Sequence, residues 1–274
     1  QENKFIHPGI LHTRESLERI RHYVDQKINP AYQSYLLLQA DPCASSDYQL
    51  QGPFEVIARL GVNSYTKRPS EDDHKAAYLN ALMWTITGKE AHARKSIEIL
   101  NAYSAVLRLI GPNDNDDPLC ASLQGSMLAN AAELIKHTYD KVEKKDIASW
   151  EHMLRTVFIP VLDTFFKAKP YTNGNWGAAA TKAYMAFGIF LDDESLYNQA
   201  VDFYYNGHDN GTIKNYISES GQCQESGRDQ DHVMFGLGNL SEVCETGYNQ
   251  GDEKMYAALD NRLLTGYEYT VKYN

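Results

Sequence analysis

Between Gly221 and His232 the chain reads GQCQESGRDQDH, followed at once by the apolar VMFGLGNL. Glu225, Arg228, Asp229, Asp231 and His232 are thus crowded at the entry of a helix that reads as buried. Ser226 and Asp229 fit the capping-box spacing [ST]-x-x-[DE], which predicts a helix beginning near Gly227. Arg228 and His232 then share a face, beside an apolar stripe of Val233, Leu237, Leu240 and Cys244. Glu225, just outside the helix, reaches back to either. A histidine at a helix N-terminus is expected to have a lowered pKa, and a neutral imidazole is what a general base requires. The plainer reading is a capped helix end with a structural Glu–Arg pair.

A second polar group lies in YTNGNWGAAATKAY, from Tyr171 to Tyr184. Here Asn173 and Asn175 flank a turn, and Trp176 opens the next helix. Asn175 reads either as a plain N-cap or as part of a site. A tryptophan beside carboxamides suits a sugar ring, which offers an apolar face for stacking and polar edges for hydrogen bonds. Trp176 as a core residue is the alternative. A third stretch, ARLGVNSYTKRPSEDDH, holds Arg59, Asn63, Tyr65, Lys67, Arg68 and His74. It reads as donors lining an anion cleft or, more simply, as a solvated loop before a helix. The acidic GPNDNDDP (Gly111–Pro118) lacks the glycine and terminal glutamate of an EF-hand loop and reads as a turn.

The elements that must position these groups are helical nearly throughout. Thr13 is an expected N-cap for RESLERIRHYV, with Leu17, Ile20 and Val24 on one face. Asn29 and Pro30 read as N-cap and N1 of AYQSYLLLQA. DDHKAAYLNALMWTIT is a helix stopped by Gly88. Further helices are predicted over about 90–109, 119–138, 145–168, 177–190, 194–206, 229–247 and 252–270, with a kink at Pro160. GTIKNYI (Gly211–Ile217) is the best strand candidate. Four connectors, TGKEAHA, DKVEKKD, LDDESLY and QGDEKMY, place Glu90, Glu143, Glu194 and Glu253 at steps of 53, 51 and 59 residues. Each step holds two helices and two turns, the signature of a stacked or circular helix-hairpin array. With no Pro/Gly/Ser linker, 1–274 reads as one all-α domain; around a closed circle its helix pairs would form a toroid with a central cleft.

Composition narrows the partners. The chain has 274 residues, 43% hydrophobic and 23% charged, with a formal net charge of −10. That charge argues against nucleic acid as the main partner, since duplex binders present a basic surface. No apolar run reaches the length of a membrane span, and the start has no signal-sequence pattern. Cys43, Cys120, Cys223 and Cys244 lack metal-ligand spacing and read as buried or free thiols. One or two disulfides remain an alternative in an exported protein.

Taken together, HPGILHTRESLERIR, LNALMWTITGKEAHARKSIEIL, NGNWGAA, CQESGRDQDH and NQGDEKMY resemble the alginate-lyase-type polysaccharide lyases. Within these the chain is most similar to exported bacterial lyases acting on polymannuronate or glucuronan. The resemblance implies an (α/α) toroid and β-elimination in an anionic polysaccharide, without cofactor or metal. It assigns Asn175 to neutralise the uronate carboxylate and His232 to take the C5 proton. Arg228 and Glu225 bind substrate or orient the site. Asn173, Trp176, Gln230, Tyr65 and Arg59 are the expected substrate contacts. The family's tyrosine acid has no match in 1–274 and is expected in a segment that follows, so the toroid is expected to lack its C-terminal part. A periplasmic or secreted location is implied, with any signal peptide already removed. Two other classes fit the same residues: an (α/α) glycoside hydrolase using Glu225 and Asp229 as its carboxylate pair, and a carbohydrate-binding toroid without catalysis.

Overall fold

The computed structural model describes residues 4–112, 115–167 and 172–273. Helices form where the periodicity places them. They are α1 (Arg14–Asp25), α2 (Ala31–Ala40), α3 (Lys67–Thr87), α4 (Glu90–Val106), α5 (Asp117–Thr138) and α6 (Lys144–Met153). Then come α7 (Ile159–Lys167), α8 (Gly174–Phe190), α9 (Glu194–Asn206), α10 (Ile213–Tyr216), α11 (Gln230–Asn249) and α12 (Lys254–Tyr273). Two short parallel strands, β1 (Val56–Ile57) and β2 (Leu109–Ile110), are the only strands among the described residues.

Local chemistry sets the ends. Thr13 caps α1, its hydroxyl accepting from Ser16 N–H while the Ser16 hydroxyl answers the Thr13 N–H. Gly88 ends α3 in the left-handed region at φ 67°, where a side chain would be strained. Pro160, which lacks an N–H, follows a π-helical turn over Leu154–Phe158, so the misfit is taken up by a widened turn. α12 is interrupted at Ala258–Asn261 by non-helical dihedrals.

The chain divides into two compact units, His7–Val161 and the pair Gln1–Ile6 with Leu162–Asn274. In the first, α3–α4 and α5–α6 are helix hairpins, and α3 packs on α5. In the second, α8–α9 and α11–α12 are hairpins, and α8 packs on α11. The four repeated glutamates lie at these hairpin turns. Glu90 and Glu194 open α4 and α9, and Glu143 and Glu253 stand just before α6 and α12. The expected hairpin repeat is therefore present.

α8 is buried along nearly its whole length, with only Trp176 and Lys182 partly exposed. Ala178, Ala179, Ala180 and Ala183 let neighbours approach, and Tyr184, Phe187 and Phe190 are fully buried. Each such ring contributes about 1.5–3 kcal/mol of burial. All four cysteines are buried thiols, in line with their spacing. Among the described residues no helix is long and apolar enough to cross a membrane.

Two local expectations are corrected. GTIKNYI is not a strand: Ile213–Tyr216 is a short helix, and only Ile217 makes an isolated bridge, to Cys223. The β-branched residues there are buried by tertiary packing, which overrides their strand propensity. The helix after ESGRDQDH starts at Gln230, with Asp229 as N-cap. The Ser226 hydroxyl instead accepts from Cys223 N–H within the preceding turn.

Candidate active site

The site is assembled at the N-terminus of α8. Asn173 holds the N-cap position, with extended backbone and no side-chain cap bond. This displaces the capping reading of Asn175, which sits inside the first turn. Outside the helix, Asn210 Nδ2 donates to Thr172 O at 2.7 Å and fixes the approach of the chain. Tyr171, in the same stretch, lies outside the described residues.

Opposite this helix start runs the segment leading to α11, and two rungs join them. Gly174 N–H donates to Gln224 Oε1 at 2.9 Å. Asn175 Nδ2 donates to Glu225 Oε1 at 2.5 Å, and both residues are buried, at 1% and 3% exposure. Glu225 also receives Arg228 Nη1 at 3.3 Å, while the Tyr216 hydroxyl lies 3.3 Å from Oε2. Tyr216 further reaches the carbonyls of His232 and Val233, each at 3.2 Å. Its phenol thus ties Glu225 to the first turn of α11. Gly174 and Gly236 make this possible, because a Cβ at either would overlap the Tyr216 ring.

His232 lies in the first turn of α11, with 36% of its side chain exposed. Its Nδ1 is 2.7 Å from both Asp229 carboxylate oxygens, and Asp229 Oδ1 also accepts the His232 backbone N–H at 2.8 Å. These bonds hold the Asp229 carboxyl below its usual range. A proton on Nδ1 directed at Asp229 leaves the lone pair on Nε2, the tautomer a general base needs. One aspartate therefore both caps the helix and fixes the ring.

The other expected contacts fall as follows. Asn173 and Gln230 are exposed, and Trp176 is half-buried. Arg59, in the His7–Val161 unit, is engaged by Glu71 at 2.9 Å and Asp116 at 3.2 Å. Tyr65, in that same unit, is 68% exposed, with its ring edge against Phe54. Arg68 pairs with Asp72, and His74 is fully buried. Of the GPNDNDDP loop, Asn113 and Asp114 lie outside the described residues. The sequence reading missed Tyr216 and Gln224. Tyr216 lies in the stretch misread as a strand, and no local pattern marks a phenol that acts sixteen positions further along.

A family model for alginate lyases matches residues 66–274. The chain belongs to the alginate lyase family. It is an enzyme of the polysaccharide-lyase class. Among solved structures, alginate lyase A1-III from Sphingomonas species A1 is 13% identical, with a TM-score of 0.72 over 94% of this chain and 77% of that one. A tyrosine-to-phenylalanine variant of A1-III complexed with a tetrasaccharide gives 0.73 at 13% identity, over 94% and 75%. An alginate lyase from Bacteroides ovatus is 12% identical, with a TM-score of 0.67 over 98% and 84%. The fold is that of these alginate lyases, an all-α toroid. No curated protein sequence matches this family member closely.

Proposed function

We propose that this family member cleaves a uronic-acid polysaccharide, polymannuronate (alginate) or glucuronan, by β-elimination. Asn175, Arg228 and Glu225 form the carboxylate-handling side, and His232 is the base. The observation that carries this reading is the Glu225 carboxylate held by the Asn175 amide at 2.5 Å and by Arg228 at 3.3 Å. An amide has two N–H groups. With one on Glu225, the orientation of the other is fixed.

In the proposed reaction the uronate carboxylate accepts N–H bonds from Asn175 and Arg228. Charge that develops on it as C5 loses its proton is then stabilised by donors already in place. His232 Nε2 takes that proton. The C5–H electron pair forms the C4=C5 double bond, and the C4–O4 bond breaks. The departing O4 takes a proton from an acid other than the four residues named. Asp229 holds the imidazole throughout and balances the imidazolium. Asn173, Trp176 and Gln230 are proposed contacts for neighbouring sugars.

The tetrasaccharide complexes of A1-III support a polysaccharide as the substrate. The net charge of −10 argues against a nucleic acid. A polymer too large to cross a bilayer is best met outside the cytoplasm, and we place the enzyme in the periplasm or medium. The deciding experiment offers polymannuronate, polyguluronate and glucuronan separately. Elimination gives a product absorbing in the ultraviolet, with the summed product mass equal to that of the polymer. A mass gain of one water per cut would mean hydrolysis and would overturn the reading.

A further inference from the structure

A second cluster of chemically capable side chains lies wholly within the His7–Val161 unit and uses none of the site residues named above. Glu133 and His137 are four apart near the end of α5 and share a helix face. His7 comes from the segment before α1. Its Nδ1 lies 2.8 Å from Glu133 Oε1, and His137 Nε2 lies 3.5 Å from Glu133 Oε2. One nitrogen from each histidine and one oxygen of Glu133 all fall within 4.8 Å of one another. The two imidazoles stack face to face, with centroids 4.2 Å apart and planes 11° from parallel.

The carboxylate is 1% exposed, so its charge needs compensation in place. Oε1 has it, from His7 and from the Gly9 N–H at 3.2 Å. Oε2 is buried and makes no hydrogen bond; His137 Nε2 stands 3.5 Å from it. A divalent cation answers that demand, because it draws two imidazole nitrogens and one carboxylate to a single point. Two histidines and one glutamate recur as a zinc donor set, with water in the fourth position. The nitrogen–oxygen separations, 2.8 Å to Oε1 and 3.5 Å to Oε2, are close in size to the ~3.3 Å ligand–ligand edge of a tetrahedron with bonds of about 2.0–2.1 Å.

We propose that His7, Glu133 and His137 form a zinc-binding site that fastens the segment before α1 to α5. Its role is structural, and it is separate from the elimination chemistry. Imidazole and carboxylate ligands suit Zn²⁺ over Mg²⁺ or Ca²⁺, which prefer all-oxygen shells.

The test uses the full chain, stripped with a chelator and titrated with Zn²⁺ against a chromophoric competitor. One equivalent is expected to bind, with a rise in melting temperature that Mg²⁺ does not reproduce. Co²⁺ in its place is expected to give the visible bands of a tetrahedral site. Glu133→Gln and His137→Asn keep the size and hydrogen-bonding capacity of the native side chains. Each is expected to weaken Zn²⁺ binding by more than the roughly 10- to 100-fold that loss of an outer-shell partner costs. If Glu133→Gln does not fold, His137→Asn and His7→Asn carry the comparison, with circular dichroism as the check. Substoichiometric Zn²⁺ in the stripped and reloaded wild type would overturn the proposal. So would binding unchanged in the folded variants.

Discussion

The Asn175 amide donates to Glu225 across 2.5 Å, although fifty positions of chain separate them, and both side chains are buried. Gly174 and Gln224 repeat the same offset one rung away. The start of α8 and the segment before α11 are thus laced together, and the proposed amide is held by a carboxylate before any substrate arrives. The proposed roles lead to three measurable outcomes, and two histidines with lowered pKa values lead to a fourth.

Asn175→Ala removes the amide and leaves Glu225 buried with Arg228 and Tyr216 as its remaining partners. Turnover on the preferred uronan is expected to fall by about 10²–10³, the cost of losing one donor to developing negative charge. Stability is expected to fall by about 1–3 kcal/mol, from the buried acceptor left underserved. Continuous ultraviolet assay and chemical denaturation measure the two separately. Wild-type turnover in a folded variant would remove Asn175 from the reaction.

Asp229 does two jobs that substitution separates. Asparagine is as good an N-cap as aspartate, so Asp229→Asn is expected to keep the helix start while losing the carboxylate at His232 Nδ1. A lower kcat, little change in KM and a displaced pH–rate profile are expected. Asp229→Ala is expected to lose the same turnover and about 1 kcal/mol of stability besides. His232→Ala is expected to lose about 10²–10⁴ in rate, the usual weight of a general base. Equal pH–rate profiles for wild type and Asp229→Asn would reduce Asp229 to a cap.

Tyr216→Phe deletes only the hydroxyl that bridges Glu225 and the first-turn carbonyls of α11. A loss of about 0.5–1.5 kcal/mol is expected for the hydrogen bond, with a drop in kcat as His232 and Glu225 lose their common tether. Denaturant midpoints and initial rates, taken on the same preparation, report both. Full activity would show that Glu225 and α11 are positioned independently.

Burial pushes the His74 pKa down to about 3 and the His12 pKa down to about 4. Both lie below the ordinary value near 6.5, so the unfolded chain binds protons first as the pH falls. The stability associated with the neutral rings is intact above about pH 6.5. It declines below that, at up to ~1.4 kcal/mol per pH unit for each ring, until the folded-state values near 4 and 3 are passed. Thermal unfolding between pH 7 and 4 is expected to show this fall, and His74→Gln is expected to make it shallower. An unchanged slope in the variant would contradict the assignment.

Much of this was legible along the chain because it is local. The hydroxyl of Thr13 caps α1 through residues three positions away, and Gly88 supplies the left-handed stop of α3 by lacking a Cβ. Hairpin turns recur at the four glutamates because each pair of helices needs a similar length of chain. The motif around Glu225, Arg228 and His232 and the pair Asn175–Trp176 could likewise be picked out by residue type.

What the chain could not disclose is which groups meet. Whether Asp229 or Ser226 caps α11 depends on where the preceding turn spends its hydrogen bonds, and it spends Ser226 on Cys223. GTIKNYI has strand-like residues, yet Tyr216 is drawn inward to Glu225 and the turn around it becomes helical. Arg59 reads as an open donor until folding sets Glu71 and Asp116 against it. His7, Glu133 and His137 carry no common motif, because 126 positions separate the first two. Periodicity and capping act within a few residues and are written in order. Hydrogen bonds between distant segments depend on packing in three dimensions, and only the tertiary structure decided them.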